Sequence, residues 1–330
     1  MHPRRLLHGL ADSDPCFLHE KRCDSGGAYK SCAPPPFSVK GNSMTKKRFD
    51  WAQFLSLPAL MIYGVFFVYP LLRGIGMSLT DWDGMGDAQF VGLRNFIHFF
   101  HDSRAIHDIQ TTLTFALGSA VLLNVVGLQY ALLMNTEFKG KSIARVIIYL
   151  PAIISPLIMG YIWYFLLQPG RGFLYHAFLQ LGLPDLIGSW MSSYSSAMRV
   201  LVLVNVWQFA GMTMIIYLAG LQSIPSELAE AAKIDGANSW QRFWRVTVPM
   251  LMPAIRINVV TNIIGSLSVF DVIMSLTEGG PGYATESLSI YIMRMCYGSR
   301  TGYSTAVAMI LFFIILIPVL ISMRLTRQKD

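Results

Sequence analysis

The chain alternates long apolar stretches with shorter polar connections. Five uncharged windows each exceed the roughly 18 residues of a membrane-crossing helix; they are 54–72, 109–136, 146–170, 200–226 and 301–323. A sixth apolar stretch, 257–270, is shorter but continues on both sides. Lipid offers no partners to exposed backbone groups, so spanning segments must be helical. The pattern predicts an all-α membrane protein with six transmembrane helices, and it disfavours a soluble helical protein with an oversized core.

The distribution of charged residues predicts how the helices are oriented in the membrane. The chain is 53% hydrophobic, 14% charged and carries a net charge of +7. Basic residues concentrate before the first span and after the second, fourth and sixth. By the positive-inside rule, both termini and the polar segment 226–253 face the cytoplasm. The basic charge therefore indicates topology in a multi-pass cell (plasma or inner) membrane protein surrounded by lipid, and no nucleic-acid partner is expected.

Residues 1–43 differ in composition from the rest of the chain. They contain Pro34–Pro36, the pair Gly26 and Gly27, and scattered charges without apolar periodicity. Such a segment predicts no packed element. Met44 precedes Thr-Lys-Lys-Arg and the first span, so we expect 1–43 to be an unstructured extension upstream of the natural start, and 44–330 to form the membrane domain. Its three cysteines lack ligand spacing.

Catalytic and metal-binding patterns are weak in this sequence. The string NTEFKGKS, ending at Ser142, approaches a phosphate-binding loop, but it begins with Asn135 and joins two membrane helices. His101 and His107, with neighbouring aspartates, favour a solvated loop over a metal site. No nucleophile–base pair or metalloprotease motif is evident. The sequence therefore predicts a chain that is not an enzyme, has no ATP site and binds no metal.

The polar segment 226–253, between the fourth and fifth predicted spans, carries the most information. Pro225 suits the first turn of a helix, and Gly236 can end that helix in the left-handed conformation. A second helix is expected from Asn238 or Ser239, with Trp240 and Trp244 on one face. The small residues of the first helix suit close approach of another protein. An amphipathic hairpin resting on the lipid surface is an equally weighted alternative.

A resemblance decides between these two interpretations. The string EAAKIDGANSWQRFWRVTVPMLMP, from Glu230, resembles the EAA loop of permease subunits of binding-protein-dependent ABC importers. Val246 and Val248 replace the usual Ile and Leu. The string LTEGGPGYATESLSIYI, 276–292, is similar to a second segment of the carbohydrate branch, with Glu278 replacing Gly. The branch includes maltose, multiple-sugar and glycerol-phosphate permeases, and the resemblance covers residues 44–330.

The resemblance implies a coupling helix seated in a cleft of a cytoplasmic ATPase. The implied coupling residues are Glu230, Ala231, Ala232, Asp235, Gly236 and Pro249. It also implies the partners: a second permease subunit, an ABC ATPase dimer that uses the ATP, and an extracytoplasmic sugar-binding protein. This chain would bind no cofactor itself. An ion-coupled secondary transporter and a membrane-embedded enzyme are rival classes, but the sequence shows neither a set of intramembrane carboxylates nor a catalytic set.

Polar residues inside spans are costly and therefore suggest function. The fifth span has Asn258, Asn262, Ser266 and Phe270 at i, i+4 spacing, and the fourth has Asn205 and Gln208. Amides and aromatic rings suit the hydroxyl edges and C–H faces of a sugar. The alternative is that they form interhelical hydrogen bonds, at roughly 0.6 kcal/mol each. We expect these six residues to be candidates for the substrate path.

Overall fold

The computed structural model describes residues 56–182 and 190–325, so the expected extension 1–43 lies outside the described residues. The described part is helical, with an isolated bridge between Thr80 and Phe90 and no strand. Its helices are α1 (Leu57–Ser78), α2 (Arg94–His101), α3 (Ser103–Met134), α4 (Lys141–Ile153), α5 (Pro156–Leu167), α6 (Phe173–Gln180), α7 (Tyr194–Gln222), α8 (Ser226–Ile234), α9 (Ser239–Met250), α10 (Met252–Leu267), α11 (Asp271–Leu276), α12 (Leu288–Tyr297) and α13 (Thr301–Leu325).

Length and composition identify the helices that could cross a membrane. Within the described ranges, α1, α3, α7 and α13 each qualify as unbroken candidates. The pairs α4 with α5 and α9 with α10 qualify only when taken together, because they bend by 97° and 69°. The structure therefore contains four to six candidate spans. This agrees with a multi-pass helical membrane protein and leaves the predicted number of six as the upper value.

The bend between α4 and α5 coincides with the two prolines of the third predicted span. Pro151 lies inside α4, and Pro156 occupies the first turn of α5. Ile154, between them, is extended, with φ −76° and ψ 138°. Its carbonyl oxygen accepts a hydrogen bond from Gln208 Nε2 of α7 at 3.1 Å. The bend thus lies where two prolines interrupt the helix, and a neighbouring helix satisfies one carbonyl that the bend exposes.

Two further prolines coincide with π-helical turns. Gly64–Val68 in α1 precedes Pro70, and Phe243–Thr247 in α9 precedes Pro249. Proline has no backbone N–H and its ring crowds the preceding turn. In each case the residue before the proline bonds five positions back, Tyr69 to Gly64 and Val248 to Phe243. The wider turns accommodate both prolines without ending the helices.

Helix α7 lies at the centre of the packed body. Of its apolar window, 61% is buried, against 22% for α13 and none for α1. It packs against α3, α4 and α10. Gly211 allows the closest approach, because a Cβ there would overlap the carbonyl oxygen of Ile148 in α4. Small residues at helix crossings are the usual means of packing inside a membrane, so Gly211 allows α7 to lie close against α4.

Candidate functional site

A cavity of about 200 Å³ lies between α7 and α10, with Leu123 of α3 at one side. The polar side chains in its wall carry amides or hydroxyls, and the rest of the wall is mostly apolar. The lining residues are Leu123, Asn205, Phe209, Met212, Thr213, Ile216, Asn258, Thr261, Asn262, Gly265 and Ser266. Each of these side chains is uncharged. A small apolar cavity with a few convergent polar groups is the usual form of a small-molecule site.

Hydrogen bonds connect the two walls of this cavity. Asn258 Nδ2 donates to the backbone oxygen of Thr213 at 3.2 Å, and both residues are buried. The side chains of Asn262 and Thr213 are 3.4 Å apart, at the long end of the hydrogen-bond range. Asn262 thus makes only a long bond across the cavity. That leaves a polar amide that a hydroxyl-bearing ligand could engage.

Four of the six residues expected on the substrate path line this cavity: Asn205, Asn258, Asn262 and Ser266. The other two lie elsewhere. Gln208 turns towards the bend between α4 and α5, where it bonds Ile154. Phe270 follows the end of α10 at Leu267, so the helical spacing no longer holds, and its ring packs against the buried cluster around Val272. Sequence reasoning omitted Thr213 and Thr261, whose polar positions within spans were the available signal.

Helices α8 and α9 form the hairpin predicted for 226–253. α8 ends in a Schellman turn: the amide of Ala237 donates to Ala232 O at 3.0 Å, and that of Gly236 to Lys233 O at 3.2 Å. Gly236 has φ +79°, and among the described residues no atom lies within 4 Å of a Cβ placed there. The predicted left-handed end of the first helix is confirmed, and the turn is open to its surroundings.

The second helix of the hairpin also begins as predicted. Asn238 caps α9, and it forms a capping box with Gln241, with bonds of 2.8 and 3.0 Å. The rings of Trp240 and Trp244 meet edge to face at 5.6 Å, and both are exposed. The small residues therefore lie on α8 and the tryptophans on α9. The two surfaces that the sequence suggested belong to different helices.

Most of the expected coupling residues are open to solvent in this structure. Glu230, Ala231, Asp235, Gly236 and Pro249 are exposed, and Ala232 is half-buried. Ile234, at the end of α8, is 86% exposed. This end of α8 therefore presents small residues, an exposed isoleucine and a positive-φ glycine that the described part of the chain leaves uncovered.

A third arrangement involves the second resembling segment, which sequence reasoning assigned no role. Residues 277–287 form a loop between α11 and α12, and Glu286 within it is fully buried. Glu286 accepts hydrogen bonds from Arg104 at 2.7 and 2.9 Å and from Arg294 at 2.7 Å. The Arg104 guanidinium lies 3.7 Å from the ring centroid of Tyr283. This Glu286 clamp, defined as Glu286 with Arg104 and Arg294, fastens the loop to α3 and α12.

Asp102, just before α3, reinforces the same region. Burial raises the pKa of Asp102, but bonds from Tyr291 and from the amides of Arg104 and Ala105 outweigh it and hold the pKa below its usual value. The Tyr291 hydroxyl donates at 2.5 Å. Burial and this bond raise the pKa of Tyr291. An acid whose pKa is lower in the folded than in the unfolded protein stabilises the fold. This stabilisation is present at pH values above the unfolded-state pKa and is lost as the pH falls through the folded-state pKa.

Helical architecture, amide-lined cavity and exposed hairpin together define the membrane-spanning part of a transport system. The chain belongs to the family of binding-protein-dependent transport system inner membrane components, whose sequence profile matches residues 111–329. Its EAA motif is consistent with this family, and it is a permease of the carbohydrate ABC importer type.

Named relatives and solved structures agree with this membership. The probable starch degradation products permease AmyD of Thermoanaerobacterium thermosulfurigenes is 33% identical, covering 85% of this chain and 95% of its own. The multiple sugar-binding permease MsmF of Streptococcus mutans is 35% identical, covering 86% and 97%. A crystal structure of a bacterial ABC transporter that imports the acidic polysaccharide alginate has a TM-score of 0.74 at 26% identity, covering 84% and 96%. A related structure contains that transporter with its periplasmic protein.

Proposed function

We propose that this chain is one permease subunit of an ATP-driven sugar importer and forms half of its translocation pathway. Its partners are a second permease, an ATPase dimer and an extracytoplasmic sugar-binding protein. The chain crosses the membrane six times, and both termini face the cytoplasm. The α8–α9 hairpin connects the fourth and fifth spans and also faces the cytoplasm. The observation that carries the proposal is the exposed Schellman end of α8, in a chain whose relatives are sugar permeases.

The division of surfaces within the hairpin suggests two contacts. α8, with Glu230, Ala231 and Gly236, docks in the ATPase, where small side chains allow close approach. α9 rests on the bilayer through Trp240 and Trp244, since indole rings favour the membrane interface. Docking and resting are therefore compatible. The lipid contact fixes the base of the hairpin, while the protein contact transmits the ATPase movement.

The cavity supports a carbohydrate as the transported solute. Sugar hydroxyls pair with amide and hydroxyl side chains, and sugar C–H faces pack on apolar groups. Asn205, Asn258, Asn262 and Ser266 supply the polar contacts in this proposal. Movement of the hairpin would rock the helices around this cavity and open it alternately to each side.

Substitution of Gly236 tests the coupling contact. Asn tolerates positive φ better than other residues with a side chain, so Gly236→Asn keeps the turn but adds bulk on its open side. We expect insertion to be retained, while sugar uptake and co-purification of the ATPase are lost. Gly86 has the same φ of +79° and equally open surroundings among the described residues, so Gly86→Asn is the matched control.

A normal result for Gly236→Asn would contradict the proposed docking. Glu230→Lys, which reverses an exposed charge on the same helix, provides a second variant with the same expected loss. Uptake driven by an ion gradient, by the purified chain without an ATPase, would instead identify a secondary transporter and overturn the function as a whole.

A further inference from the structure

Asp108, in the second turn of α3, is a buried acidic side chain with no evident partner. Its side chain is fully buried. Among the described residues neither carboxyl oxygen has a hydrogen-bond donor. His107 Nδ1 is 3.9 Å away, beyond hydrogen-bond range. An ionised carboxylate in this position would be both desolvated and unbonded, which is strongly unfavourable.

The nearest acidic group is Glu286 of the clamp. Thr111 Oγ1 donates to Ala284 O at 3.3 Å, and Leu288 N donates to Thr112 Oγ1 at 2.9 Å. These bonds lay the loop along α3, where the negative charge of Glu286 acts on Asp108. Two carboxylates can only accept hydrogen bonds, which is why neither satisfies the other when both are ionised.

Among the described residues, the hydrogen bonds donated to the pair all go to Glu286, and none goes to Asp108. Arg104 directs Nε and Nη2 to Glu286, and Arg294 directs Nη1 to it. Asp108 receives no bond from either guanidinium. Titratable or charged residues around Asp108 and Glu286 come from the start of α3, the loop, α12 and α13. They are Asp102, Arg104, His107, Tyr283, Tyr291, Arg294 and Tyr303.

We propose that Asp108 is protonated in the folded protein and donates its hydrogen to Glu286, so that one proton is a structural component of the clamp. A single proton between two buried carboxyl groups removes their repulsion and supplies the missing donor. Asp108 is thus a positioning residue: it acts through Glu286 on the loop. Ser287 Oγ in turn donates to Val269 O at 2.9 Å, just beyond the cavity-lining end of α10.

The proton makes stability depend on pH with a definite sign. An aspartic acid in the unfolded chain has released its proton at neutral pH. The folded state then binds one proton more than the unfolded state, so stability falls as pH rises. Asp102 does not contribute over this range, because its lowered pKa affects stability only towards acid. The histidines are shared by wild type and variants, so their contribution cancels in a comparison.

The test compares Asp108→Asn with Glu286→Gln in the full chain reconstituted in lipid nanodiscs. An amide at 108 mimics the protonated acid, because its N–H₂ can donate to Glu286. We expect Asp108→Asn to melt as wild type near pH 6 and to lack the wild-type loss of stability near about pH 9. Glu286→Gln should melt lower at both pH values, because two guanidinium groups lose their counter-charge.

An infrared spectrum supplies an independent signature. The carbonyl band of a protonated carboxylic acid, present at neutral pH in wild type, should disappear in Asp108→Asn and persist in the exposed-site control Asp83→Asn. An unchanged band, or equal pH dependence of melting in wild type and Asp108→Asn, would overturn the proposal. Neither measurement uses transport, so failure here is separate from failure of the proposed function.

Discussion

Asn262 shows how one side chain connects two helices while facing a cavity. It is 9% exposed, and among the described residues its hydrogen bond across the cavity is the 3.4 Å approach to Thr213. A bond of that length is weak, so exchanging it for a ligand hydroxyl costs little. Asn258, one turn earlier, makes the shorter backbone bond and holds the helices together. The two amides therefore suit different tasks, ligand contact and helix packing.

Replacing Asn262 tests this assignment. Asn262→Ala removes the amide without adding bulk, and we expect sugar uptake to fall about threefold to tenfold, the effect of one or two lost hydrogen bonds. Assembly with the ATPase should be unchanged. Ser268→Ala is the control, because that exposed hydroxyl bonds Ile264 O of its own helix. Equal uptake by wild type and Asn262→Ala would remove Asn262 from the path.

At the residue scale, the sequence indicated a polar stripe but not its limits. The i, i+4 spacing places Asn258, Asn262 and Ser266 on one face for as long as the helix lasts. It could not show that α10 ends at Leu267, which separates Phe270 from the stripe. Nor could it show that Gln208 is needed at a carbonyl exposed by a bend in another helix. Both facts depend on tertiary packing.

At the scale of elements, the crossing of α4 and α7 depends on Gly211. A side chain there would meet the backbone at Ile148 and Tyr149, which cannot rotate away. The same region contains the α4–α5 bend, which Gln208 satisfies from α7. One stretch of α7 therefore provides both close packing and a hydrogen bond. The two prolines of the third span mark the position of the break, where the helices bend by 97°.

Enlarging Gly211 tests the crossing. Gly211→Leu should destabilise the protein by about 2 kcal/mol or more, because overpacking forces backbone shifts. The measurement is a lowered melting temperature of the purified protein. Gly76→Leu is the control, since no described atom lies within 4 Å of a Cβ at that position. Similar melting of Gly211→Leu and Gly76→Leu would show that α4 and α7 can separate without cost.

At the scale of the whole molecule, orientation in the membrane rests on charge distribution. Basic residues near the chain termini and in the α8–α9 hairpin predict a cytoplasmic location for these parts by the positive-inside rule. Cys296 is free and exposed on α12, which this topology places on the opposite side. Ile234, exposed at the end of α8, offers a position on the side that this topology makes cytoplasmic.

Cysteine labelling measures this orientation. In a chain with Cys16, Cys23 and Cys32 replaced by Ser, a membrane-impermeant maleimide should label Cys296 in intact spheroplasts. Ile234→Cys should react only after permeabilisation, because the membrane separates it from the reagent. Labelling of both positions from outside would contradict the predicted topology and, with it, the contact between α8 and a cytoplasmic ATPase.

The overall class was accessible from the sequence because long uncharged windows have few structural solutions. Family-level motifs located the hairpin, and local capping rules gave its turn at Gly236 and its restart at Asn238. The Glu286 clamp was not accessible in the same way. Arg104 lies 182 residues from Glu286 in the sequence, and Arg294 lies on the helix that follows the loop. Rules for local structure do not predict such pairing of charges.

Among the described residues, helix α1 differs from the other unbroken candidate spans because none of its apolar window is buried. It also precedes residues 111–329, the region that the family profile matches. Exchanges among apolar residues along its first turns should therefore leave the folded body undisturbed. This tolerance ends in the later turns of α1, where Gly74 lies against Met309 and Thr305 of α13.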